Sequence, residues 1–150
     1  MKKTFKGLLT NGDQLRIRLS TNQGLKGYKI TKMQALPHIP GSTVDTEIIL
    51  QAFSTKRSSV PTAAGDAKLN FDDPTLLGAV YYQDSVSAST ASSFDVIIDE
   101  KIVNQDIFVT YSDQTGAAST QANFYLEMEA MAISKDEATV ATLRDMRGRE

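Results

Sequence analysis

The stretch Gln14-Leu15-Arg16-Ile17-Arg18-Leu19 alternates polar and apolar residues without a break, and a period of two is the strongest constraint this chain carries. An α-helix cannot gather residues at that spacing onto one side, whereas a half-buried β-strand does so at every second position. The pattern sets Leu15, Ile17 and Leu19 toward a core and Gln14, Arg16 and Arg18 toward water. Segments of similar character run through 4–10, 27–36, 46–54, 67–71, 76–83, 93–99, 106–112 and 121–133. Their β-branched and aromatic content, and the short spacing of the turns between them, predict about nine strands. The fold class expected is all-β, an antiparallel β-sandwich, jelly-roll-like, with a short C-terminal α-helix.

Turn chemistry separates the strands. Asn11-Gly12 readily supplies the positive φ values of a tight turn, which predicts that 4–10 and 14–19 pair as a hairpin. Pro37, Pro40-Gly41, Pro61, Gly65, Asp72-Asp73-Pro74 and Gly116 fall between strands, where they end pairing or build turns. The loops 85–93 and 116–120 are small, polar and nearly uncharged, and 54–67 is a long excursion. Such segments suit either partner contact or simple connection.

At residue 134 the period changes. Ser134-Lys135-Asp136-Glu137 has the form of a capping box, in which the Ser134 hydroxyl takes the amide of Glu137 and the Glu137 carboxylate reaches back. A helix follows, with Val140, Leu143 and Met146 (or the stem of Arg147) as a thin apolar stripe and Gly148 placed to end it. So narrow a stripe buries little, and the helix must lean on its own sandwich or on a neighbouring subunit. The expected organisation is a sandwich over 1–133 and a helix and tail over 134–150, within one domain or as a subunit-contact arm.

Composition excludes several classes of function. The chain has 150 residues, 41% of them apolar, which suffices for a core without metals or staples. Its 16 basic and 18 acidic residues give a formal charge of −2. No long run of one sign marks a nucleic-acid footprint or a polybasic membrane patch. Lys2 and Lys3 begin like a signal peptide, but Lys6 and Asn11 cut the apolar stretch short, and no window has the length of a membrane span. A soluble, unexported protein is expected. The absence of cysteine removes disulfides, thiolate nucleophiles and Cys-type metal sites.

The remaining chemistry is thin. His38 is the one histidine; it lies between Pro37 and Pro40 with no nucleophile elbow, and a loop histidine is its simplest role. Asp66, Asn70, Asp72 and Asp73 offer oxygen ligands for calcium but not at EF-hand spacing, and Asp72-Asp73-Pro74-Thr75 reads more simply as a turn. No phosphate-binding glycine motif occurs. Of the carboxylate pairs, Asp95 with Asp99 and Glu127 with Glu129, the second is the clearer, since strand neighbours on one face sit about 6.5–7 Å apart. Phe124, Leu126, Met128 and Ala130 form the core side opposite it, so Glu127 and Glu129 are expected to face solvent or another subunit. Tyr81-Tyr82 puts one ring on each face of its strand, leaving one for binding. No cofactor and no metal are expected.

The passages "FDDPTLLGAVYYQD", "VIIDEKIVNQDIFVTYSDQTG" and "NFYLEMEAMAISKDEATVATLRDMR" resemble small virion structural proteins of marine bacteriophages. The resemblance spans most of 27–147 and lies in overall pattern rather than in a diagnostic motif. It implies a non-enzymatic capsid, decoration or minor head protein, assembled in the host cytoplasm and located in the virion. Its partners would be itself as a homo-oligomer and other virion proteins, through the sandwich and the C-terminal helix, with Val140, Leu143 and Met146 as subunit contacts. The fold also serves lectins and cupins. The second reading is therefore a carbohydrate- or receptor-binding module using the 85–93 and 113–120 loops with Tyr81 or Tyr82.

Overall fold

The computed structural model describes residues 1–21, 24–39, 45–85, 90–98, 101–113 and 121–147. Along them run β1 (Lys2–Thr10), β2 (Gln14–Ile17), β3 (Lys26–Pro37), β4 (Thr46–Phe53), β5 (Leu76–Ser85), β6 (Thr90–Ile97), β7 (Ile107–Asp113), β8 (Gln121–Ala132) and α1 (Lys135–Arg147). The strands form two antiparallel sheets packed together, one in the order β1-β8-β3 and one in the order β2-β7-β4-β5-β6. Pairing first with last, second with seventh and fourth with fifth is a long hairpin rolled on itself, which is a jelly-roll-like sandwich. Instead of joining β3, β6 stays on its hairpin partner β5, and β3 packs across both.

The period of two does what it promises in β8. Phe124, Leu126, Met128 and Ala130 are buried in the core while Tyr125, Glu127 and Glu129 lie outside. In β3 the inward residues Ile30 and Met33 are three apart, which an unbroken pleat cannot accommodate. A register shift between Ile30 and Lys32 absorbs the extra residue. Facing them, Ile48 and Leu50 of β4 and Ile107, Val109 and Tyr111 of β7 fill the space between the sheets, each buried side chain stabilising the fold by about 1.5–3 kcal/mol.

The expected hairpin of the first two strands does not form. β1 pairs with β8 in one sheet, and β2 pairs with β7 in the other. Gly12 has the positive φ foreseen, at 92°, but it turns the chain from one sheet into the next. The Gly12 amide donates to the Tyr111 carbonyl at 3.0 Å. The Asn11 side chain donates to the Thr62 carbonyl at 3.1 Å and accepts from the Asp113 amide at 2.9 Å. Because β2 is only an edge of four residues, Leu15 is exposed while Ile17 and Leu19 are buried.

The segment 67–71 is not a strand either. Its backbone is used differently: Gln51 donates its side-chain amide to the Lys68 carbonyl at 3.1 Å, so the 54–75 excursion folds back over the outer face of β4 and β7. This cover explains why β7 is buried at every position. Gln14 fastens the near end by accepting the Arg57 amide at 2.8 Å and donating to its carbonyl at 3.0 Å. Arg57 in turn lies 3.7 Å from the centre of the Phe53 ring and pairs with Asp73.

Candidate functional site

The outer face of the small sheet is a cross-strand charge ladder. Lys2, Glu129 and Lys29 stand in one row and Thr4, Glu127 and Lys32 in the next, so the two glutamates of the central strand are flanked by lysines from both edges. The Tyr125 hydroxyl donates to Glu127 at 2.6 Å, and Lys2 approaches it at 3.6 Å. These contacts hold the Glu127 carboxyl below its usual range, chiefly through the tyrosine hydrogen bond. Glu127 lacks the raised value a general acid needs, and the pair lies on the outer side of β8, opposite the core residues, as its sequence context implied.

Tyr81 and Tyr82 do occupy opposite faces, yet neither is free. Tyr82 packs against the core. On the other face, the Tyr81 hydroxyl donates to Glu47 at 2.6 Å, and burial together with that carboxylate pushes it up to about 12. His38 is exposed just beyond β3, its amide donating to the Gln121 carbonyl at 3.4 Å. Asp73 accepts from the amide and hydroxyl of Thr75 at 2.9 and 2.6 Å, which makes 72–75 the turn foreseen. Among the described residues no three His, Cys, Asp or Glu side chains are grouped to hold a metal ion. Nor is any helix there long and apolar enough to cross a membrane.

A feature that no motif announces lies in the connection between β6 and β7. Val103 exchanges backbone hydrogen bonds with Tyr28 at 2.7 and 2.9 Å, drawing this connection alongside β3. Asn104 is thereby placed under α1, fully buried, where its amide nitrogen lies 3.1 Å from the Gly24 carbonyl, 3.2 Å from the Ala138 carbonyl and 2.7 Å from the Thr142 hydroxyl, its two N–H donors shared among them. Two residues on, Asp106 accepts from the amides of Leu19 and Ser20 at 2.9 and 3.0 Å and from Arg16 at 2.6 Å. Burial opposes its ionisation, but those amides and the guanidinium outweigh it and hold the carboxyl down to about 2. Residues 103–106 thus clasp β3, α1 and the end of β2 together. Only the polar run Asn104-Gln105-Asp106 ahead of an apolar strand hints at this in the sequence.

The clasp decides how α1 sits. The Ser134 hydroxyl accepts the Glu137 amide at 3.2 Å, as an N-cap does. The helix then docks through its small residues: Ala138 and Ala141 are buried, and Gly24, with φ 64°, brings its backbone close to Asn104. The larger apolar residues are turned outward, leaving Val140 65% and Leu143 50% exposed. Leu143 borders an open groove of about 540 Å³ beside the helix, with Leu25, Lys135 and Thr139 on its walls. Of the other expectations, the side chain of Met146, Gly148, Pro40-Gly41, Asp99 and the loops 86–89 and 114–120 lie outside the described residues; of the rest of the 85–93 stretch, residue 85 ends β5 and residues 90–93 begin β6.

A groove of about 320 Å³ separates the 54–75 excursion from the outer face of β4 and β7. Its charged groups are largely spent on the fold, since Arg57 pairs with Asp73 and Lys68 bonds the Gly65 carbonyl at 3.2 Å. No protein-family model matches the chain, and no curated protein matches it significantly.

Proposed function

We propose that the chain is a non-enzymatic structural subunit that associates with copies of itself, of the kind from which bacteriophage virions are built. The observation that supports this most is the posture of α1. A helix anchored by buried alanines and a fully buried asparagine holds a fixed position, yet its two largest described apolar side chains face away from the core. Helices ordinarily bury that stripe. A stripe held rigidly outward is a contact waiting for another surface, and exposed apolar groups of this kind mark association sites.

The jelly-roll-like sandwich is compatible with the reading and does not single it out, because the fold serves many functions. The resemblance of 27–147 to small phage virion proteins is what directs it toward a capsid, decoration or minor head protein. The alternative, a carbohydrate- or receptor-binding module, draws less support: Tyr82 is half-buried against the core and Tyr81 is engaged by Glu47.

Light scattering of the purified chain over a concentration series, beside the Val140→Lys/Leu143→Lys variant, tests the proposal. Association that rises with concentration and is lost in the variant is expected. A wild-type chain that stays monomeric at every concentration and forms no higher-order particles in electron micrographs would remove it.

A further inference from the structure

β6 is the least protected edge of the sandwich. It hydrogen-bonds to β5 on one side and, among the described residues, to no strand on the other. From Ala91 to Val96 every residue is exposed, on both faces, and the list includes Phe94 at 64% and Val96 at 43%. The other edges carry the usual deterrents to strand addition. β1 has Lys2, Lys3 and Lys6; β3 has Lys26, Lys29 and Lys32, a bulge and a terminal proline; β2 is four residues long and carries Arg16. Along β6, Thr-Ala-Ser-Ser-Phe-Asp-Val-Ile, the single charge is Asp95.

The hydrogen-bond phase of this edge can be read from its inner side. The Ile98 amide bonds the Leu77 carbonyl, so in the β5–β6 register the pairs Ala79–Val96, Tyr81–Phe94 and Gln83–Ser92 are the hydrogen-bonded ones. The amides and carbonyls of Ser93 and Asp95 therefore point away from β5, into open space. An antiparallel partner related by a two-fold axis at Phe94 meets both requirements of such an edge. Ser93 and Asp95 exchange backbone bonds with Asp95 and Ser93 of the second copy, and each carboxylate lies opposite a hydroxyl. Moving the axis to Asp95 would set two carboxylates face to face, which is destabilising.

We infer that β6 pairs with β6 of a second copy of this chain about a two-fold axis at Phe94, joining two five-stranded sheets into one of ten strands. This rests on the self-association reading and adds a second contact, independent of the α1 stripe. Closed two-fold pairing is the commonest form of homo-association. A single strand pair covers less than the ~1,200 Å² typical of a stable standing interface, so the contact forms at the high local concentrations of an assembling particle.

The absence of cysteine makes a direct test available. At the axis, the Phe94 pair is a non-hydrogen-bonded one with Cα atoms about 4.5 Å apart, within disulfide reach. Phe94→Cys is expected to give a covalent dimer under mild oxidation of the concentrated chain. Val96→Cys is expected to give none, since the two Val96 positions lie about 14 Å apart along the strands. The double variant Ser92→Cys/Val96→Cys, which places a thiol opposite a thiol, should link again and serves if Phe94→Cys folds poorly. Ser93→Pro removes an outward amide without touching the β5 ladder, so circular dichroism should be retained and the cross-link lost when it is combined with Phe94→Cys. Cross-linking equal at residues 94 and 96, absent from both linking variants, or insensitive to Ser93→Pro overturns the inference. Loss of association in the Val140→Lys/Leu143→Lys variant with no β6 cross-link would leave the assembly reading standing and remove this one alone.

Discussion

The side-chain amide of Asn104 reaches the hydroxyl of Thr142 at 2.7 Å, across 38 residues of chain. The same nitrogen satisfies the Gly24 carbonyl, so one buried side chain connects the β6–β7 connection, the entry to β3 and the terminal helix. Asn104→Leu removes donors from a dry environment and leaves the Thr142 hydroxyl and the Gly24 carbonyl short of partners. The expected cost is about 1–3 kcal/mol. Limited proteolysis should then cut near residue 134 well before the sandwich melts, and thermal denaturation followed by circular dichroism measures the loss. Unchanged proteolysis would show that the alanines alone hold the helix.

The outward stripe behaves in the opposite way. Val140→Lys and Leu143→Lys alter side chains that pack on nothing in the core, and each should change stability by no more than about 0.5 kcal/mol. Chemical denaturation checks this figure. A loss of several kcal/mol would mean that the stripe is internal packing rather than a contact surface.

Asp106 makes stability depend on acid. Its carboxyl titrates lower in the folded chain, about 2, than the ordinary 3.8. Its contribution is complete above the ordinary value and fades as the pH falls from near 3.8 toward 2. Asp106→Asn leaves the amides of Leu19 and Ser20 with a weaker acceptor and frees Arg16, at a cost of about 1.5–3 kcal/mol near neutrality. Denaturation series at pH 7 and pH 2.5 should show the gap between wild type and variant narrowing markedly at the lower value.

Gly12→Ala confronts two obstacles at once. The residue has φ 92°, and a Cβ there would lie 2.6 Å from the Thr62 methyl. The strain alone costs about 1–2 kcal/mol. Thr62→Ser, which removes the methyl, should recover only the steric part. Full recovery in a thermal melt of the double variant would mean that backbone strain contributes little.

Much of the sandwich was legible because burial on one face leaves a period of two in the sequence, as in β8, where Phe124 to Ala130 alternate with Tyr125 to Glu129. The cap at Ser134 was legible for the same reason: its chemistry is local. What local pattern cannot encode is destination. Asn11-Gly12 has the same turn chemistry whether it closes a hairpin or carries the chain into the other sheet, and the deciding bonds come from Tyr111 and Asp113, about a hundred residues away. Segment 67–71 resembles a strand, but its Lys68 carbonyl is claimed by the Gln51 side chain. The periodicity of α1 located its apolar stripe but left open whether that stripe meets the sandwich or a neighbour, and it gave no sign that Ala138 and Ala141 form the docked face. Small alanines over Asn104 allow a closer approach than the larger stripe, and nothing near residue 140 records that Asn104 lies beneath.

The rolled-hairpin pairing also dictates an order of events during synthesis. β8 is the middle strand of the small sheet, flanked by β1 and β3, so neither flank has a hydrogen-bonded neighbour in that sheet until residues 121–132 have left the ribosome. While the residues between β1 and β8 are being made, the lysine-bearing β1 has no partner in that sheet, and its charges are a safeguard for that interval as much as for the finished molecule. Closing so distant a pair makes folding slow, in the millisecond-to-second range typical of sandwiches. β8 is therefore the strand that commits the small sheet to its final shape.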